Sequence, residues 1–291
     1  MELTWYGRTC VRMRSKDAVV VADAYQSVVG PTGRGITGDI VTYSHPDDSP
    51  HPKAKGRLSR DGSTLLPSSL EEAFCLDGPG EYEIREVLIT GVRTFRDETK
   101  GGERGRNIAF LVELDGVRVI HLGEIGHLLT EDKLTDIGPV DVACIPVGGS
   151  LPAMKAAELV AQLDAKVVVP MPVCDDEESA EALAKFLHEM GVSTPPALQS
   201  KLTLMPPSLP AEVTTVLLEQ RGKIKLRSCG GCESPGASAP GRSSDRACRR
   251  LQSSRWASAA RQGVIHCYVL AECILRFAGR KATFPHDLPK P

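Results

Sequence analysis

Residues 18–22 read A-V-V-V-A, apolar at every position, and the run stops at Asp23. A β-strand sends successive side chains to opposite faces, so such a run is stable only where both faces are covered. Residues 140–146 also read as a strand, and residues 166–169 as another buried one. Other segments belong to antiparallel pairs. Residues 107–114 and 117–122 flank Asp115-Gly116, a favoured type I′ turn pair, and residues 3–6 and 10–13 flank a turn at Gly7. Residues 81–90 alternate (Tyr82, Ile84, Val87, Ile89) and read as one strand. Apolar residues recur at helical spacing over 152–163, and further helices are expected at 130–137, with Thr130 as N-cap, and at 179–190, ended by Gly191. Residues 201–206 and 212–220 read as closing strands, and residues 26–38 and 91–106 as loops. Parallel and antiparallel signals together, followed by alternating strands and helices, predict an α/β fold of two packed sheets with helices outside.

Charge divides the chain. Residues 227–291 hold eleven Lys and Arg against four Asp and Glu, a surplus of seven; the whole chain is −2, so residues 1–226 carry −9. That tail is rich in Ser, Gly, Pro and Arg and poor in aliphatic residues, so it cannot bury enough to offset backbone ordering of roughly 1–2 kcal/mol per residue. We therefore expect a domain over residues 1–226 and a basic, low-complexity, disordered tail over 227–291. The tail's arginines lack interleaved aromatics, which argues against a specific nucleic-acid module. Cys10, Cys75, Cys144 and Cys174 are scattered singly and read as free thiols in a reducing compartment. No signal peptide or membrane span is apparent, so a cytoplasmic location is expected.

Chemistry concentrates in residues 39–51, D-I-V-T-Y-S-H-P-D-D-S-P-H. A short apolar strand runs into a loop with two histidines and two aspartates, a place for metal ligands. This stretch, with W-Y-G-R-T-C (5–10), V-V-V-A-D-A-Y (19–25), G-P-G-E-Y-E-I (78–84), H-L-G-E-I-G-H-L-L-T (121–130) and I-P-V-G-G (145–149), resembles the Zn-dependent hydrolase-like branch of the metallo-β-lactamase fold. The resemblance covers about residues 1–226. It implies a four-layer α/β/β/α sandwich with the site at one edge, between the sheets. It also implies one or two zinc ions and hydrolysis of an ester, amide or phosphoester of a small-molecule substrate by a metal-activated water.

The resemblance places His45 at the first ligand position, Asp47 where a second histidine is expected, and His51 as a displaced last histidine. Glu124 stands where a bridging aspartate is expected, and Asp48 would orient the water. A mostly carboxylate set suits Mn²⁺ or Mg²⁺ as well as zinc. Against this, Arg96 and Pro172 stand where histidines are expected, and so does Arg8. A permanent guanidinium opposes a divalent cation, so a weak or absent activity is expected. The alternative from the same residues is a non-catalytic binding protein in which Arg8 and Arg96 hold an anionic ligand in the old cleft. His121 and His127, between glycines, read as structural.

Overall fold

The computed structural model describes residues 1–46, 66–173 and 176–221. The chain divides into two units, Met1–Lys223 and Ile224–Pro291, and all described residues lie in the first. The expected tail therefore lies outside the described residues.

The strands in chain order begin with β1 (Glu2–Gly7), β2 (Cys10–Arg14), β3 (Val19–Ala22), β4 (Ile40–Thr42) and β5 (Phe74–Leu76). They continue as β6 (Gly80–Ile84), β7 (Val87–Phe95), β8 (Arg106–Leu114), β9 (Val117–His121), β10 (Val142–Val147), β11 (Val167–Pro172), β12 (Leu202–Thr203) and β13 (Thr214–Thr215). Four helices join them: α1 (Gln26–Val29), α2 (Glu131–Ile137), α3 (Ala153–Leu163) and α4 (Asp176–Glu189).

One sheet has the order β12-β1-β2-β3-β4-β5 and the other β13-β11-β10-β9-β8-β7-β6. In each sheet the pairing changes from antiparallel to parallel part-way across: β3, β4 and β5 are parallel, and so are β9, β10, β11 and β13. The apolar runs do what their composition demands. In β3, Val20 and Ala22 enter the core between the sheets, whereas Val21 packs with Val29 and Ile36 on the outside. In β10, Val142 and Cys144 face the other sheet, and Ala143 and Ile145 pack under the helices with Leu159 and Phe186. Three apolar clusters thus separate four layers, and the fold is the α/β/β/α sandwich.

Several local expectations are corrected. Residues 81–90 are not one strand. Arg85 and Glu86 take φ of 51° and 62° and form a tight turn between β6 and β7, with Ile84 opposite Val87. The loop expected over 91–106 begins later, because β7 runs to Phe95. The segment 26–38 contains α1 and a short 3₁₀ turn. The closing strands shrink to two residues each, β12 on the edge of β1 and β13 on the edge of β11. The Asp115-Gly116 turn forms as expected, with φ of 51° and 70°. Cys10 and Cys144 are buried free thiols. Cys174 lies outside the described residues.

Candidate functional site

The carboxyl ends of the parallel strands β3, β4, β9, β10 and β11 come to one edge of the sandwich. That is where open α/β sheets place ligands, because the chain turns back there and leaves polar groups unpaired. The β1–β2 turn and the β7–β8 loop reach the same edge.

Asp23 follows β3. It is fully buried and adopts φ of 51°, a conformation that Asp tolerates better than most residues. Its Oδ1 accepts from Ser44 N at 2.7 Å and from the Tyr25 hydroxyl at 3.1 Å. Its Oδ2 accepts from Ser44 Oγ at 2.6 Å. With the Ser44 hydroxyl proton committed to a carboxylate, the 2.7 Å contact between Ser44 Oγ and His45 Nδ1 requires Nδ1 to donate. That fixes the imidazole with Nε2 turned toward Glu124 Oε1, 3.7 Å away.

Glu124 sits in the turn after β9. Asn107 Oδ1 accepts from its backbone N at 3.0 Å, and Asn107 Nδ2 donates to Leu122 O and Thr94 Oγ1. The turn lies close against its neighbours. A Cβ on Gly123 would stand 2.4 Å from Ser44 Oγ, and one on Gly126 would stand 2.2 Å from Arg96 O. The Glu124 carboxylate is then taken by two guanidinium groups. Arg96 Nη2 donates to Oε2 at 2.6 Å, and Arg8 Nη2 donates to Oε1 at 3.2 Å. Burial raises the Glu124 carboxyl, but the charges of His45 and Arg96 and the arginine hydrogen bonds outweigh it and hold it below the ordinary value.

Asp97 turns away from this centre. Its oxygens accept from Thr99 N and Oγ1, Gly101 N, Glu103 N and Arg104 N. Burial opposes ionisation, yet these bonds prevail and keep Asp97 well below the usual carboxylate range. It fastens the 97–104 loop. His121 Nε2 donates to Thr9 O at 2.7 Å, tying β9 to the β1–β2 turn. His127 Nε2 accepts from Phe95 N at 3.0 Å. Both histidines brace the edge.

The structure therefore brings together four of the residues singled out by sequence: His45, Glu124, Arg8 and Arg96. Asp47, Asp48 and His51 lie outside the described residues. Asp23, Ser44, Asn107 and Arg104 were not singled out. The lone acid after the apolar run of β3 was the one visible mark of that network.

A catalytic zinc takes about three protein ligands and keeps an open position. Among the described residues no three His, Cys, Asp or Glu side chains converge to hold a metal. The two donors that do meet, His45 Nε2 and Glu124, share their space with Arg8 and Arg96, and each carboxylate oxygen already accepts from a guanidinium. The described donor set does not fit a tight divalent-metal site.

Residues 2–172 match the family model described as a β-lactamase superfamily domain. A metal-dependent hydrolase from Natranaerobius thermophilus is 22% identical over 188 residues, which is 59% of this chain and 82% of that protein. A metal-dependent hydrolase from Thermococcus onnurineus is 30% identical over 126 residues, 40% of this chain and 56% of that protein. Among solved structures, a protein from Thermotoga maritima provisionally assigned as a Zn-dependent hydrolase of the metallo-β-lactamase superfamily superposes with a TM-score of 0.54 at 27% identity. The match covers 75% of this chain and 97% of that one.

Proposed function

Because the chain belongs to the β-lactamase superfamily, we propose that it is a hydrolase of the metal-dependent group by descent and fold, and that its metal-dependent hydrolysis is weak or absent. The names of its relatives support the first part. The observation that carries the second is the buried contact of Arg96 Nη2 with Glu124 Oε2 at 2.6 Å. The Arg96 and Glu124 side chains are 7% and 10% exposed, so their charges meet where water screens them poorly. A divalent ion drawn to Glu124 meets a fixed positive charge that cannot be shed at any working pH. When bound, a metal in this family supplies a nucleophilic water. What the described residues do is hold: Asp23 and Ser44 orient the His45 ring, Asn107 anchors the turn that carries Glu124, and the arginines neutralise it.

The test is elemental analysis of the full chain, purified without chelator or metal-affinity tag, beside Arg96→His. We expect no stoichiometric metal in the parent, together with uptake of zinc or manganese by the variant. About one equivalent or more of bound zinc, manganese or iron in the parent would overturn the reading.

A further inference from the structure

The alternative drawn from sequence put an anionic ligand on Arg8 and Arg96. The geometry redistributes that role. Arg96 is buried and turned onto Glu124, so it shapes the field and leaves recognition to its exposed neighbours. Arg8 is 52% exposed at the mouth. Arg104, also exposed, reaches the same cleft from the loop that Asp97 fastens, and its Nη1 donates to Ser150 Oγ. Arg8, Arg104, Glu124, Gly148 and Ser150 line a narrow cleft of about 30 Å³.

We propose that this cleft is a binding site for a dianionic oxyanion, a phosphate or phosphomonoester head group, held by Arg8 and Arg104 with Ser150. It rests on the reading that guanidinium groups, not a metal, supply the positive charge here.

Three lines support it. The first is charge: Arg8 and Arg104 line the cleft, and the one carboxylate that the described residues place in its lining, Glu124, already accepts from both Arg8 and Arg96, so the lining favours an oxyanion. The second is geometry. Guanidinium forks present paired N–H groups that match the oxygens of phosphate, and the two arginines come from different connections, the β1–β2 turn and the β7–β8 loop, each on a fixed support. Arg8 occupies a turn at φ of 47° and its carbonyl accepts from Trp5 Nε1 at 2.7 Å, and five hydrogen bonds hold the loop of Arg104. Such preorganisation lowers the ordering cost of binding. The third is space. The narrow cleft shares Gly148 and Gly149 with a wider groove of about 260 Å³ lined also by Glu178, Glu181 and Lys185, the lysine paired with Glu181 at 2.7 Å, so a head group seated between the arginines has room for a neutral or cationic remainder of a small molecule.

The experiment is thermal denaturation and isothermal titration of the full chain with inorganic phosphate and with glycerol phosphate, against sodium chloride at matched ionic strength. Parallel titrations use Arg8→Gln, Arg104→Gln and, as a control, Arg14→Gln at the far end of β2. We expect saturable stabilisation by both ligands in the parent, unchanged by EDTA and by Arg14→Gln, and affinity about tenfold weaker in each cleft variant, the loss of one charge-assisted contact. Glycerol phosphate binding more tightly than phosphate would place the body of the ligand in the groove. Equal stabilisation by chloride, or affinity untouched by Arg8→Gln and Arg104→Gln, would overturn the proposal. Loss of the effect in EDTA would also overturn it, by putting the anion on a bound metal; metal content, measured separately, decides the reading beneath it.

Discussion

Arg96 Nη2 lies 2.6 Å from Glu124 Oε2 with both side chains largely buried, whereas Arg8 reaches the other oxygen at 3.2 Å from a half-exposed position. The same carboxylate therefore has one partner shielded from water and one screened by it. Removing a partner from a buried pair strands a charge, at about 3 kcal/mol or more. Removing an exposed partner costs about 0–1 kcal/mol. Arg96→Met is expected to lower the unfolding free energy by about 3 kcal/mol and Arg8→Met by less than about 1 kcal/mol. Urea denaturation of both variants checks this, and equal losses would show that Glu124 does not distinguish its partners.

The Asp23 carboxylate accepts from Ser44 N, Ser44 Oγ and the Tyr25 hydroxyl while fully buried. An amide at that position keeps the backbone geometry but turns one acceptor into a donor facing donors. Asp23→Asn is expected to cost about 2–3 kcal/mol, an unsatisfied buried group, against about 1 kcal/mol for Ser44→Ala, which removes one bond to it. The histidine side-chain resonance of His45 should broaden or shift in both variants, since Ser44 orients its ring.

Much of this architecture is legible in the residues. Apolar runs such as β3 require two covered faces, and Asp115-Gly116 sets its own turn, so the sheets follow from local chemistry. The Arg85–Glu86 turn carried no glycine, yet Ile84 and Val87 are three residues apart, an odd step that a strand with period two cannot make while keeping both inside. The site was half legible. His45 and Glu124 stand out by type, and the positive charges of Arg8 and Arg96 are plain. What no linear pattern carries is the direction of a side chain: that Arg96 turns inward onto Glu124, that Arg104 joins Arg8, and that Asp23 and Asn107 hold the pieces depend on loops meeting across the two sheets.

Acid should weaken the fold through Glu124 and Asp97. The ordinary values are 4.5 and 3.8, and both carboxyls are held lower in the folded chain. Depressed folded-state values mean that the unfolded chain binds protons first. The stabilisation is therefore complete above those ordinary values and is lost as pH falls through the folded-state ones. The unfolding free energy of the parent should decline from about pH 5 downward. In Glu124→Gln and Asp97→Asn the decline should be shallower, so that each variant lies below the parent at pH 7 and approaches it near pH 2. Denaturation at the two pH values measures this; parallel curves would exclude the two carboxylates as the source of acid sensitivity.

Gly123 is the point where β4 and β8 press on the turn that carries Glu124. Its φ is 58°, and an added Cβ would lie 2.4 Å from Ser44 Oγ and 2.5 Å from Asn107 Oδ1. Those two atoms belong to the groups that set His45 and Glu124, so they cannot retreat without loosening both. Gly105 offers a comparison, with φ of 88° and open space where a Cβ would go. Gly105→Ala is expected to cost about 1 kcal/mol from backbone strain alone. Gly123→Ala adds overpacking of about 1–3 kcal/mol, so about 2–4 kcal/mol in total. If Glu124 is displaced with the turn, Arg96 loses its partner, and the further cost of Arg96→Met in the Gly123→Ala background should fall well below its cost in the parent. Additive costs in that double-mutant cycle would show that the glycine shapes the turn without positioning the ion pair.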